Sequence, residues 1–240
     1  MKLLIDAGNT RIKWALVAGE QWLRSGNLLT EQVGDLSRDF AQLASVQQVW
    51  VSNVVGEPVA QQIHAACSEH DWPTHFITAQ LMQCGVRNGY TQPQQLGSDR
   101  WAALIAAWHQ ISRACLVVNC GTTTTIDALS AQGEFIGGII LPGVDLMQRS
   151  LSLATARLQT TDGVYVPLPL NTADAVYSGA IQAGCGAIQR QHALLKDDDA
   201  PVLLSGGAAA QLQGCVEQRV MHRVDDLVLQ GLLLIAKDAG

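Results

Sequence analysis

"LLIDAGNTRIKWAL" spans residues 3–16. An apolar run ends in Asp6, turns through Ala7-Gly8-Asn9-Thr10 and resumes as a second strand-like stretch. Gly8-Asn9 is good hairpin chemistry, so a plain turn between two strands is one reading. A phosphate-handling loop is the other, because a glycine turn lets backbone N–H groups converge on an anion with no Cβ in the way. One copy of the stretch does not decide between them.

A second copy lies at 116–129, "LVVNCGTTTTIDAL". Laid on the first without a gap, at an offset of 113 residues, it matches Leu3, Gly8, Thr10, Ala15 and Leu16 to Leu116, Gly121, Thr123, Ala128 and Leu129. Asp6 meets Asn119 and Asn9 meets Thr122. The shared plan is strand, polar residue, glycine turn, hydroxyl cluster, strand. Repetition at about half the length of a 240-residue chain predicts two similar domains whose turns approach one ligand from opposite sides.

The chain is 48% hydrophobic and 15% charged, so it is globular rather than disordered. Its net charge is −6, and its fifteen basic residues are scattered, which argues against nucleic acid as a partner. Six cysteines, at 67, 84, 115, 120, 185 and 215, form no CxxC pair and read as reduced, buried thiols of a cytoplasmic protein. Asp6 interrupts any signal-peptide core, and no apolar run reaches the roughly 18–20 residues of a membrane span.

Outward from the two turns, strands are expected at 2–6, 11–18, around 22–29, 46–54 and 74–78, with a helix over 58–70 that carries Pro58 in its first turn. Residues 84–97 hold three glycines and a proline and read as loop. Ser98 or Asp99 then caps a helix over 100–111. The second half gives strands at 114–119, 123–129 and 134–141, and helices over 144–157 and 173–195, the latter capped by Asn171 or Thr172. A strand at 201–205 runs into Ser205-Gly206-Gly207, with Ala208 to Ala210 opening a helix. A strand at 220–223 and a helix over 225–238 follow. This is a mixed α/β sheet twice over, divided near Ser112–Arg113 into domains 1–112 and 113–240.

Several residues have both a functional and a structural reading. Asp6 can hold a metal ion through water, since Mg²⁺ takes few carboxylates, or merely cap a turn. Lys13 alternates with Ile12 and Trp14, so it is placed to meet phosphate charge or is an ordinary exposed lysine. "LLSGGAAAQL" (203–212) lets a base or ribose approach the backbone, or is a tight strand–helix turn. In "GSDRWAA" (97–103), Asp99 can take a proton from an attacking hydroxyl and Arg100 can bind an anion, or both belong to an ordinary helix start.

"DAGNTRIKWAL" (6–16), "GSDRWAALIAAW" (97–108), "NCGTTTTIDAL" (119–129) with "GGIILPG" (137–143), and "NTADAVYSGA" (171–180) follow one another in the order seen in type III pantothenate kinases. The resemblance spans nearly the whole chain. It implies the actin-like ATPase fold, with two ribonuclease H-like domains and the nucleotide cleft between them. It implies ATP- and Mg²⁺-dependent phosphorylation of pantothenate to 4′-phosphopantothenate, the first step toward coenzyme A. By the same resemblance Asp6, Ala7, Gly8, Asn9, Thr10, Arg11, Ile12 and Lys13 form the first phosphate loop, and Thr122 belongs to the second. Asp99 matches the proton acceptor, and Tyr90, Gly97, Ser98, Arg100 and Thr172 match the pantothenate site. The family implies a homodimer that needs potassium or ammonium. Members with a clear monovalent-cation site carry Asp where this chain has Asn119, which keeps a carbonyl oxygen but no charge, and this argues for weak or no cation binding there. The alternative from a different class is a non-catalytic accessory factor for transcription that retains the nucleotide fold. A third is a kinase of another small molecule on the same fold.

Overall fold

The strands flanking the first glycine turn are β1 (Lys2–Ala7) and β2 (Arg11–Ala18) in the computed structural model, which describes residues 1–154, 162–214 and 220–240. A third strand, β3 (Gln21–Leu29), completes an antiparallel meander. β4 (Gln48–Asn53) then returns parallel to β1, and β5 (Thr74–Phe76) lies parallel to β4, giving the order β3-β2-β1-β4-β5. Alternation directs Leu3, Ile5, Ile12, Trp14, Val49 and Val51 to one face. There they pack on Val33, on Leu36 and Phe40 of α1 (Leu36–Phe40) and on Ile63 of α2 (Glu57–Ser68).

Further along the same unit, β6 (Met82–Gln83) and β7 (Val86–Asn88) form a small hairpin. Its two-residue turn has Cys84 and Gly85 both at positive φ, 49° and 79°, the requirement of a type I′ turn. The expected loop over 84–97 therefore contains part of a hairpin. α3 (Ser98–Ile111) buries Trp101, Leu104 and Ile105 completely.

The second unit repeats the plan. β8 (Cys115–Cys120), β9 (Thr123–Leu129) and β10 (Glu134–Pro142) form an antiparallel meander. β11 (Val202–Ser205) lies parallel to β8 and β12 (Met221–Arg223) parallel to β11, so the order β10-β9-β8-β11-β12 matches that of the first sheet. α4 (Val144–Ala154) and α5 (Thr172–Leu194) cover Leu116, Val118, Ile126, Val202 and Leu204. The end of the helix expected over 144–157 lies outside the described residues, as does Cys215. Ala209–Leu212 form only a 3₁₀ turn where a helix was expected.

The ladders correct the gapless overlay of the two turns. Leu3 faces Leu16 and Asp6 faces Lys13, whereas Leu116 faces Ala128 and Asn119 faces Thr125. The first turn closes with Gly8 N–H donating to the Arg11 carbonyl at 3.1 Å, the second with Gly121 N–H donating to the Thr123 carbonyl at 3.0 Å. The second turn is one residue shorter. The sequence matches at Thr10, Ala15 and Leu16 therefore slip by one position, and the counterpart of Lys13 is Thr125.

The chain divides into one unit of Met1–Gln110 with Leu227–Gly240 and another of Ile111–Asp226. The division expected at 112/113 assigned the last helix to the second half. Instead α6 (Leu227–Asp238) lies against β1 and β4 of the first unit. It is apolar nearly all round, as a helix buried on several sides must be. Among the described residues no helix is long and apolar enough to cross a membrane.

Gly231 of α6 crosses α3 so closely that a Cβ would strike the Ala102 backbone carbonyl. Helix propensity alone favours alanine there by about 1 kcal/mol. The obstruction is backbone, so overpacking wins, and Gly231→Ala is expected to destabilise by about 1–3 kcal/mol. Urea denaturation gives the sign directly; a gain in stability would mean the two helices separate freely.

Candidate active site

Asp6 ends β1 half-buried, opposite Lys13 on β2 and Ser52 on β4. Between the strands Asn9 and Thr10 are exposed, as is Arg11 at the start of β2, which donates to Asn27 Oδ1 at 2.8 Å. Ala7 and Ile12 are fully buried in the core, so only their backbone can serve a ligand. The buried Thr30 hydroxyl donates to the Gly8 carbonyl at 2.6 Å, and its amide donates to the Thr10 carbonyl at 3.0 Å. These bonds fix the turn from within.

Ser52 carries the second connection. Its hydroxyl lies 2.9 Å from that of Ser98, and both are buried. This ties the start of α3 to the strand beside Asp6. Asp99 follows, with Oδ1 accepting the Arg100 amide at 2.7 Å. Gly97 makes room for that carboxylate, since a Cβ there would lie 2.7 Å from Asp99 Oδ1. Burial pushes the Asp99 carboxyl above its ordinary range, and the Arg100 amide and charge pull it back only in part.

Arg100 is 5% exposed. Its guanidinium donates to the Tyr90 hydroxyl at 3.1 Å and stands 5.8 Å from that ring's centre. Tyr90 is placed by Asn88, whose Oδ1 accepts the Tyr90 amide at 3.0 Å and whose Nδ2 donates to the Pro93 carbonyl at 3.1 Å. Tyr90, Gly97, Ser98, Asp99 and Arg100 are thus brought together at the start of α3. Sequence reasoning missed Thr30, Ser52 and Asn88. Only Asn88 carried a local signal, the Asn88-Gly89 turn pair.

In the second unit the Gly121–Thr122 turn is enclosed by backbone on two sides. Gly143 N–H donates to the Thr122 carbonyl at 2.9 Å, and Ala208 N–H donates to the Cys120 carbonyl at 3.1 Å. A Cβ on Gly143 would strike the Gly121 carbonyl, and one on Gly206, whose φ is +97°, would strike the Cys120 carbonyl. These glycines are demanded by close approach. Asn119, half-buried at the end of β8, turns its Oδ1 toward Gly206. Thr172 is exposed in the first turn of α5, whose cap is Asn171: its Oδ1 accepts the Asp174 amide at 2.9 Å. Thr172 lines a groove of about 770 Å³ with Met147, Leu151, Leu170 and Val176.

The cysteines divide. Burial pushes Cys115 and Cys120 up to about 12 and Cys67 up to about 11, which leaves them inert. Cys84 is only partly buried, and Cys185 is disulfide-bonded, so the expectation of six reduced, buried thiols does not hold.

A family model described as type III pantothenate kinase matches residues 2–193. The chain is 47% identical to the type III pantothenate kinase of Aromatoleum aromaticum, over 99% of this chain and 98% of that one. It is 45% identical to that of Nitrosomonas eutropha, over 99% and 95%. Among solved structures, a conserved putative Baf family transcriptional activator from Campylobacter jejuni aligns with a TM-score of 0.63 at 23% identity, over 99% and 98% of the two chains. A putative 2-dehydro-3-deoxygalactonokinase from Sinorhizobium meliloti aligns with a TM-score of 0.61 at 14% identity, over 100% and 99%. These two likenesses concern the fold alone.

The raised Asp99 carboxyl has a consequence for stability. Above an unfolded value near 3.8, the native chain holds the Asp99 proton more readily than the unfolded chain does. Ionised Asp99 therefore costs stability at neutral pH, and the cost is relieved as pH falls through the folded value. Asp99→Asn is expected to be more stable than wild type at about pH 7, with the difference fading toward about pH 4. Urea denaturation across that range measures it. A variant less stable than wild type at neutral pH would reverse the sign.

Proposed function

The chain belongs to the type III pantothenate kinases, and on that premise we propose how its residues serve the ATP-dependent phosphorylation of pantothenate, the first step from pantothenate to coenzyme A. The observation that carries the assignment is the partly desolvated Asp99 carboxylate beside buried Arg100. A carboxylate with a raised pKa is a better proton acceptor than a solvated one.

The turns at Asp6–Lys13 and at Thr122 take the phosphates of ATP. At the second turn, Gly143 and Gly206 pack directly on the Gly121 and Cys120 carbonyls and so hold the backbone of the turn in place. Asp6 suits a magnesium ion held through water, which, when bound, neutralises phosphate charge. Asp99 accepts the proton of the pantothenate hydroxyl as its oxygen bonds to the γ-phosphorus and the bond to the leaving ADP breaks. Arg100, oriented by Tyr90, binds the pantothenate carboxylate. Gly97, Ser98 and Thr172 complete the substrate site. Most of the protein's work is positioning and charge stabilisation, as direct phosphoryl transfer requires. Asn119 offers a monovalent cation a carbonyl oxygen without charge, which supports weak potassium or ammonium dependence. We place the enzyme in the cytoplasm, where its cosubstrate ATP is at hand.

We also propose a homodimer built on the second unit. Leu151 and the fully exposed Leu170 line the groove between α4 and α5, and Leu153 and Leu168, their near neighbours in sequence, are 89% and 84% exposed. Such a concentration of bare leucine favours a protein partner.

A coupled ADP-release assay over a panel of hydroxyl acceptors, with and without potassium or ammonium, should single out pantothenate. Folded protein that releases no ADP with it would remove the kinase reading. In the same assay Asp99→Asn is expected to lower kcat by about 10²–10⁴-fold with ATP affinity little changed. Retention of more than about half the turnover would leave Asp99 a structural role only, inside the first turn of α3 rather than as the cap expected from sequence. For the dimer, light scattering should give about twice the 25.7 kDa chain mass at micromolar concentration. A monomer would exclude it.

A further inference from the structure

We propose that the Thr30 hydroxyl is a positioning group for the first phosphate turn, holding a carbonyl away from the face that takes the anion. The inference rests on the assignment of that turn to ATP.

The two turns make a controlled comparison. Thr30 follows β3, and its amide donates to the Thr10 carbonyl. Gly143 follows β10, and its amide donates to the Thr122 carbonyl. Val54, after β4, donates to the Ala7 carbonyl at 3.1 Å, just as Ala208, beyond β11, donates to that of Cys120 at 3.1 Å. Two backbone bonds therefore recur in both units. The bond from the Thr30 hydroxyl to the Gly8 carbonyl has no counterpart at Gly143, where a glycine has no side chain to donate and no Cβ fits against Gly121.

The backbone donors are the same in both units, and the first turn has in addition a side-chain donor, Thr30, on the Gly8 carbonyl. The consequence is electrostatic. In a trans peptide the carbonyl and the next amide point in opposite directions. With the Gly8 carbonyl held toward Thr30, the Asn9 N–H points to the opposite side, where Asn9 and Thr10 are exposed. A carbonyl released from Thr30 can rotate toward that side and repel a phosphate oxygen.

Thr30→Val keeps the shape and removes the donor. Isothermal titration with ATP and Mg²⁺, and steady-state kinetics in both substrates, read the effect. ATP affinity, and kcat/KM for ATP, should fall about ten- to a hundredfold, the range for leaving a partly buried carbonyl without its donor. The KM for pantothenate should stay within about twofold, because uniform loss would mean general damage. Thr30→Ser should restore ATP binding to within about threefold. ATP affinity unchanged in Thr30→Val, equal losses toward both substrates, or no rescue by serine would each overturn the proposal. If circular dichroism shows that the valine variant does not fold, Thr30→Ala and the same readings decide. Wild-type protein that binds ATP while the variants bind it equally well removes Thr30 alone. Wild-type protein that binds no ATP removes the assignment of the turn, and this inference with it.

Discussion

A central strand that ends in a turn leaves carbonyls that must find donors, and both sheets answer this requirement from the same two places. The topology dictates where. The third strand runs antiparallel to the second and the fourth parallel to the first, so both leave the sheet at the end where the hairpin turns. The residues emerging from them, Thr30 and Val54 in one unit and Gly143 and Ala208 in the other, meet the turn with their amides. The strand order thus engages the turn carbonyls with backbone donors before any side chain contributes.

Side chains then add the chemistry at the same end of the first sheet. Ser52, level with Asp6, holds Ser98 by its hydroxyl and so fixes the first turn of α3. That turn presents Asp99 and Arg100. Burying a carboxylate is unfavourable, and the raised Asp99 carboxyl means that part of that cost is left uncompensated. The helix N-terminus and the Arg100 amide offset part of it. Full compensation would give a more stable protein and, in the proton-accepting role proposed for Asp99, a poorer base; the same partial desolvation acts on both.

The elements set by local pattern were legible in the sequence: the two glycine hairpins, the Pro58 and Asn171 helix starts, and the apolar run of α3. What was hidden depended on spatial neighbours. A gapless overlay hid the shorter second turn, because Thr10 meets a threonine with or without the one-residue shift and Ala15-Leu16 match Ala128-Leu129 only without it. The β6–β7 hairpin turns on Cys84-Gly85, and cysteine at positive φ gives no turn signal. The placement of α6 rests on Gly231 against Ala102, a contact between residues far apart in the chain. Thr30 and Ser52 look like ordinary strand and strand-end residues until their partners at Gly8 and Ser98 are in place. The motifs that bear the family resemblance name residues facing a ligand; the residues that hold them from behind carry no motif.

The corrected register also shows how two turns of one design differ in electrostatic character. Asp6 and Lys13 face each other across the first hairpin, and the corresponding pair in the second is Asn119 and Thr125. One turn therefore has a carboxylate and an ammonium at its base, and the other has an amide and a hydroxyl. A carboxylate suits a hydrated divalent cation and a lysine suits phosphate charge. The neutral pair can contribute only hydrogen bonds. The shorter turn is instead held by close backbone packing: a Cβ on Gly143 would strike the Gly121 carbonyl and one on Gly206 that of Cys120. The turns differ at their flanks as well: the longer one takes a side-chain donor from Thr30 on its Gly8 carbonyl, and the shorter one tolerates no side chain at Gly143.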